Sequence, residues 1–155
     1  PENPCSLPED PRRFVLLPSI ARTNYDKLVA KQADFQALSE ESQFNELLDG
    51  PDRSLGIIAS GIAFNYLMEN FPEGCPHPVL RIAQYPLPAG KLKTILDACD
   101  RVLLLEEGAP FIEIRILLSL SETGSFSWAP ARESLIPDSS AINGFSGSSF
   151  IIFNK

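Results

Sequence analysis

One stretch constrains the fold of this chain more than any other, because a short apolar run turns directly into a helical pattern. Leu55 to Ala59 includes two adjacent β-branched isoleucines, which is typical of a strand buried on both faces of a sheet. After Ser60-Gly61, apolar residues recur at helical spacing from Ile62 to Phe71, which predicts a well-buried helix. Since parallel strands need a helical crossover, we interpret the stretch as the first half of a βαβ unit.

The alternation of buried strands and helices continues along the chain. A second strand is predicted at Val79 to Ala83, an amphipathic helix at about 89 to 98, and a third strand at Arg101 to Leu105. Pro110 is then placed as at the first turn of a helix, although residues 111 to 116 alternate apolar and charged side chains like a strand. This order predicts an α/β domain whose parallel sheet is covered by helices on both sides.

The two ends of the chain are less regular than its middle. Residues 1 to 13 contain four prolines, a composition typical of a semi-rigid linker. Phe14 to Leu17 is a candidate strand, and one helix is predicted from about 24 to 38. Residues 119 to 155 are rich in serine and poor in charge and have no clear period before Phe150 to Phe153, so the sequence leaves their structure unassigned. We therefore predict a linker, an α/β domain at residues 14 to 118, and a serine-rich tail.

Composition excludes some classes of function. The chain has 155 residues, 44% of them hydrophobic, which is enough for one domain with a sizeable core. Its net charge is −7 and its 13 basic residues are dispersed, which argues against nucleic acid as a partner. No apolar run approaches the roughly 18 residues of a membrane span. We expect a cytoplasmic chain without membrane contact, and its start at Pro1 suggests a piece of a longer protein.

The residues that most often bind metals give no pattern in this sequence. Cys5, Cys75 and Cys99 are too widely spaced for a zinc site or a disulfide framework, so we expect free thiols and no metal. The single histidine, His77, stands between two prolines in a predicted surface crossover, where an exposed imidazole without a special role is the usual finding.

The loops after the predicted strands are the first place to search for a site. In an open parallel sheet, ligands bind outside the carboxyl ends of the strands. Three pairs of residues lie there: Ser60-Gly61, Gln84-Tyr85 and Glu106-Glu107. These six residues are the candidate ligand or interface residues. Ser60 and the first amides of its helix can hold an anion, but a simple N-cap is the favoured interpretation.

No catalytic residue is predicted in these loops. Glu106 and Glu107 are adjacent, so on a strand they point to opposite sides and do not easily form an acid/base pair. A favourable interaction with a helix dipole is the favoured interpretation of these carboxylates. Gly56 and Gly61 have the spacing of a phosphate loop, but Ile62-Ala63 stand where Lys-Ser/Thr is required.

Four stretches resemble the alpha subunit of indolepyruvate ferredoxin oxidoreductase: Phe14-Val-Leu-Leu-Pro-Ser19, Gly56-Ile-Ile-Ala-Ser-Gly-Ile-Ala-Phe-Asn-Tyr66, Gln84-Tyr-Pro-Leu-Pro88 and Val102-Leu-Leu-Leu-Glu-Glu-Gly-Ala-Pro-Phe-Ile-Glu113. They occur in that family's order and spacing over about residues 12 to 113. The resemblance is to the second domain of that subunit, which is similar to the C-terminal domain of transketolase. It implies a three-layer α/β/α sandwich with a mostly parallel sheet of about five strands. The first strand, at Phe14 to Leu17, would be antiparallel to the others.

The resemblance also implies a parent enzyme that oxidatively decarboxylates arylpyruvates to acyl-CoA. Such an enzyme uses thiamine diphosphate, Mg, coenzyme A and iron–sulfur clusters, with ferredoxin as the acceptor. The thiamine lies between two other domains of the family, and this chain contains neither. The chain has no Gly-Asp-Gly with a downstream Asn and no C-x₂-C-x₂-C run, so we expect no cofactor on it. The implied partners are the remaining domains of the alpha subunit, the beta subunit and ferredoxin.

Three hypotheses about function follow from the sequence. The preferred one is a non-catalytic structural and subunit-interface domain of such an oxidoreductase. The alternative is a regulatory module that binds a small anion or a nucleotide in the strand-end loops. The third is a free-standing enzyme that uses Glu106 or Glu107 as a base.

Overall fold

A strand followed by a tight turn and a helix is present where the sequence predicts it. The computed structural model describes residues 6, 8–116, 129–131 and 148–154. Strand β2 spans Gly56–Ser60 and helix α3 spans Gly61–Asn70. The prediction that α3 is well buried is wrong, because it buries only Ala63 and Leu67. Its other apolar side chains remain partly or largely in contact with solvent.

The described residues form one six-stranded sheet around three parallel strands. The remaining strands are β1 (Leu47–Leu48), β3 (Val79–Ile82), β4 (Arg101–Glu107), β5 (Ala129–Ala131) and β6 (Ser148–Asn154). Their order is β1-β3-β2-β4-β6-β5. Strands β3, β2 and β4 are parallel, β1 is antiparallel to β3, β6 is antiparallel to β4, and β5 is antiparallel to β6. The α/β fold class predicted from the sequence is confirmed.

The described residues include four further α-helices. They are α1 (Pro18–Ala30), α2 (Gln32–Glu41), α4 (Ala89–Ala98) and α5 (111–116). The conflict between the helical and strand signals after Pro110 is therefore resolved in favour of the helix. Contacts between Cα atoms divide the chain into two compact units, Pro1–Phe35 and Gln36–Lys155.

The region before the sheet differs from its prediction. Phe14 to Leu17 is not a strand: a short 3₁₀ turn covers Pro11–Phe14, and α1 begins at Pro18. Proline is favoured at the first helical position, so Pro18 starts a helix where the sequence analysis ended a strand. The single helix predicted from 24 to 38 is two helices. The first strand in the chain is antiparallel, as the resemblance implies, but it is Leu47–Leu48.

Two apolar clusters lie on opposite faces of the sheet, because successive strand residues point to opposite sides. The cluster that includes Ile58, Leu80 and Leu104 packs against α4 and α5. The cluster that includes Ile57, Val79 and Leu103 packs against α3. The central strands are thus covered by different helices on their two faces, which explains the apolar runs of β2 and β4, whereas β3 is apolar except at Arg81.

Part of the predicted serine-rich tail is paired into the sheet. The backbone of β6 pairs with β4 from Arg101↔Asn154 to Glu107↔Ser148, over the whole length of β4. The sequence predicted no structure there, because strand pairing depends on a distant partner. Ala129–Ala131 of the tail form β5, which pairs with β6. The remaining tail residues lie outside the described residues, and the proposed domain boundary at residue 118 stays a prediction.

Candidate functional site

The three predicted strand-end loops lie at one edge of the sheet. Ser60 is in register with Ile82, the last residue of β3, and Ala59 is in register with Leu105 of β4. The helices that follow the adjacent strands β2 and β4 pack on opposite faces of the sheet. This is the arrangement that opens a crevice at the carboxyl ends of strands in α/β folds.

Ser60-Gly61 forms the turn from β2 into α3. Ser60 occupies the N-cap position in extended conformation, but its side chain makes no capping hydrogen bond. Gly61 has φ of 56°, the left-handed region that glycine tolerates best, and a Cβ there would meet nothing within 4 Å. The N-cap position is therefore as predicted, whereas the capping hydrogen bond is absent.

Glu106 and Glu107 have different environments, as their adjacent positions on a strand require. The Glu106 side chain is buried, and its carboxylate accepts hydrogen bonds from the backbone amides of Ile112, at 2.8 and 3.1 Å, and Glu113, at 3.4 Å. These are amides of the first turn of α5, so Glu106 satisfies donors that have no partner within the helix. Glu107 is exposed. The two carboxylates do not form one acid/base pair.

Tyr85 is the aromatic residue among the six strand-end residues. Its peptide bond to Pro86 is cis, and its ring meets the ring of Phe111 edge-on, with 5.1 Å between centroids. Burial raises the pKa of the Tyr85 hydroxyl above its ordinary value, and the negative charge of Glu106 raises it further. A phenol with a raised pKa is a hydrogen-bond donor at neutral pH, and it is a poor general base.

Gln84 belongs to a buried polar network that the sequence analysis missed. The Asn45 side-chain oxygen accepts from the backbone amides of Ala83 and Gln84, both at 2.9 Å. Its amide nitrogen donates to the Gln84 carbonyl oxygen and to the Ser39 hydroxyl, also both at 2.9 Å. The Gln84 side-chain oxygen accepts from the Ser42 hydroxyl at 2.8 Å. No local pattern signals this network, because the bonds to Ala83 and Gln84 join residues about 40 positions apart in sequence.

Other reactive side chains lie elsewhere or have unsuitable surroundings. His77 lies at the amino end of β3, with Nδ1 3.4 Å from an Asp52 carboxylate oxygen. Cys75 is half-buried and Cys99 is buried, both are free, and burial raises the pKa of each thiol. Among the described residues no group of three or more His, Cys, Asp or Glu side chains is arranged to hold a metal ion.

A helix that crosses a bilayer needs about 20 predominantly apolar residues. Within the part of the chain that the structure describes, no helix combines the length and the apolar character needed to cross a bilayer.

Known proteins resemble this chain over most of its length. Indolepyruvate oxidoreductase subunit IorA of Methanothermobacter thermautotrophicus is 39% identical over 112 residues, which are 70% of this chain and 18% of that protein. The subunit of the same name from Methanothermobacter marburgensis is 34% identical over 119 residues, which are 75% and 19% of the two chains. That from Pyrococcus abyssi is 29% identical over 111 residues, 70% and 17% of the two chains.

These similarities confirm the resemblance that the four sequence motifs indicated. The chain is similar to a segment of these subunits, and it spans less than a fifth of their length. No family model and no solved structure matches the chain.

Proposed function

We propose that this chain, similar to one segment of the indolepyruvate oxidoreductase subunit IorA, is a non-catalytic structural and subunit-interface domain of such an oxidoreductase. In this proposal the parent enzyme decarboxylates arylpyruvates oxidatively to acyl-CoA and passes the electrons to ferredoxin. Residues 14–118 are the α/β domain, and residues 119–155 are a tail of which β6 completes the sheet.

The hydrogen bonds at the strand ends are the observation that supports a structural role. Glu106 accepts from the α5 amides, and Gln84 bonds to Asn45 and Ser42. The Glu106 and Gln84 side chains are thus directed towards the protein's own backbone and side chains, and not towards a bound substrate. Among the six strand-end residues, no hydrogen bond links the Ser60 hydroxyl to a base that could activate it.

The magnesium ion that accompanies thiamine diphosphate in the proposed parent enzyme does not fit the six strand-end residues. Thiamine diphosphate with Mg needs oxygen ligands for the metal, and the six strand-end residues offer only one exposed carboxylate, that of Glu107. We therefore assign thiamine diphosphate, Mg, coenzyme A and the iron–sulfur clusters to other domains or subunits of the parent. The partners of this domain are then the rest of the alpha subunit, the beta subunit and ferredoxin, in the cytoplasm.

A chimaera tests the proposed structural and subunit-interface role. The matched segment of the Methanothermobacter thermautotrophicus subunit is replaced by the corresponding residues of this chain, and assembly and indolepyruvate oxidation are measured. We expect a complex of unchanged mass that remains active. A chimaera that fails to assemble although the segment is folded by circular dichroism contradicts the interface role.

Substitutions at the strand ends then test the absence of catalysis. Ser60→Ala and Tyr85→Phe in the chimaera remove the two hydroxyl groups of the edge while preserving shape. We expect turnover close to that of the unsubstituted chimaera. Since a general acid or base contributes about 10²–10⁴-fold to a rate, a fall of that size contradicts the proposal. Micromolar binding of thiamine diphosphate with Mg to the isolated chain, measured by calorimetry, also contradicts it.

A small-anion or nucleotide-binding module is the second candidate. The unused Ser60 hydroxyl beside the first amides of α3 is the observation that favours it. If it is correct, phosphate, coenzyme A or a nucleotide raises the melting temperature of the chain, and Ser60→Ala removes the effect. If none of these compounds raises the melting temperature of the unsubstituted chain, this candidate is wrong.

A further inference from the structure

We draw no further inference here: the strongest candidate, the exposed apolar face that Tyr25, Leu28 and Val29 form on helix α1, carries none, because nothing in the structure shows what covers it.

Discussion

Asn45 shows how one buried amide fixes the loop after β3. It is fully buried, and its side chain uses both its acceptor and its donor groups in hydrogen bonds to Ser39, Ala83 and Gln84. A buried polar group is favourable only when its hydrogen bonds are made, and here they are. The position of Gln84 and Tyr85 at the strand end therefore depends on Asn45, a residue with no distinctive sequence context.

Replacement of Asn45 by alanine tests this dependence. The backbone amides of Ala83 and Gln84 would lose their acceptor, and each unsatisfied group that stays away from water costs about 1–3 kcal/mol. We expect the free energy of unfolding in urea to fall by about 3 kcal/mol. Asn65→Ala, at an exposed position of α3, is the matched control and should change it by less than about 0.5 kcal/mol. An equal fall in the free energy of unfolding in Asn45→Ala and Asn65→Ala would contradict the role of the Asn45 hydrogen bonds.

The pKa of Tyr85 gives a second prediction at the residue scale. Because burial and then the charge of Glu106 raise the pKa of Tyr85, Glu106→Gln should lower that pKa only part of the way to its ordinary value. Ultraviolet titration of the phenols measures this, and Tyr85→Phe identifies the signal. Glu107→Gln is the control and should leave the pKa of Tyr85 unchanged.

The raised pKa of Tyr85 also determines how the stability of the chain changes with pH. A group whose pKa is higher in the folded than in the unfolded state stabilises the fold at pH values below its unfolded pKa, which is about 10 for tyrosine. That contribution is lost as the pH rises through the higher pKa of the folded state. Tyr85→Phe should therefore make the chain less sensitive to pH above about 10. An unchanged pH dependence there would contradict the raised pKa.

At the scale of elements, α4 is capped by a residue from another helix. Its N-cap residue is Pro88, which has no side-chain oxygen to accept from the first amides. The carboxylate of Glu40, in the last turn of α2, accepts from the amides of Gly90 and Lys91 at 2.9 and 3.0 Å. Two elements are thus joined by one charged cap, which also has a favourable interaction with the dipole of α4.

The cap can be tested with two neighbouring glutamates. Glu40→Ala should lower the free energy of unfolding by about 1–2 kcal/mol, because a lost N-cap typically costs that much. Glu41→Ala removes the same charge from the adjacent exposed position, and it should have an effect of less than about 0.5 kcal/mol. A similar loss in both variants would mean that net charge, and not capping, causes the effect.

Close packing of β2 and α4 gives a second prediction at this scale. A Cβ built on Gly56 would lie 2.9 Å from both the Cys99 Sγ and the Ile95 Cγ1 atoms. Gly56→Ala should therefore destabilise the chain by about 1–3 kcal/mol through overpacking. Cys99→Ala removes one of the two obstructing atoms, so the double variant should lose less than the sum of the single losses. Additive losses would contradict this explanation.

At the scale of the whole molecule, the sheet is completed from the far end of the chain. Strand β6 pairs with β4, so a strand from the predicted tail covers the edge of the last parallel strand. An uncovered long apolar edge such as that of β4 is a site for aggregation. We therefore expect the tail residues that form β6 to stabilise the sheet and to protect the edge of β4.

Deletion of residues 148–155 tests the contribution of β6. We expect a melting temperature lower by about 10 °C, equivalent to roughly 3 kcal/mol for a chain of this size, and aggregation that increases with concentration. A shortened chain with the original melting temperature and solubility would show that β6 does not stabilise the sheet.

The central elements were predictable because their signals are local. The runs at β2 and β4 are apolar on both faces, β3 is apolar except at Arg81, and α4 has an apolar stripe of helical period, so each element matches its sequence pattern within about two residues. Around Phe14 to Leu17 the local signal was misleading, since four apolar residues fit a strand as well as the approach to a helix. The edge at which the candidate residues meet was also predictable, because parallel strands place their carboxyl ends together.

Sequence alone thus determined the βαβ core, the absence of a catalytic pattern and the resemblance to one family, because periodicity and short motifs are written in neighbouring residues. The tertiary structure decided which groups meet across the chain: Glu106 with the α5 amides, Asn45 with Gln84, and β6 with β4. It also decided that α1 remains unburied. A pattern shows that a side chain prefers burial or a hydrogen bond, but only the folded chain brings the partner within reach.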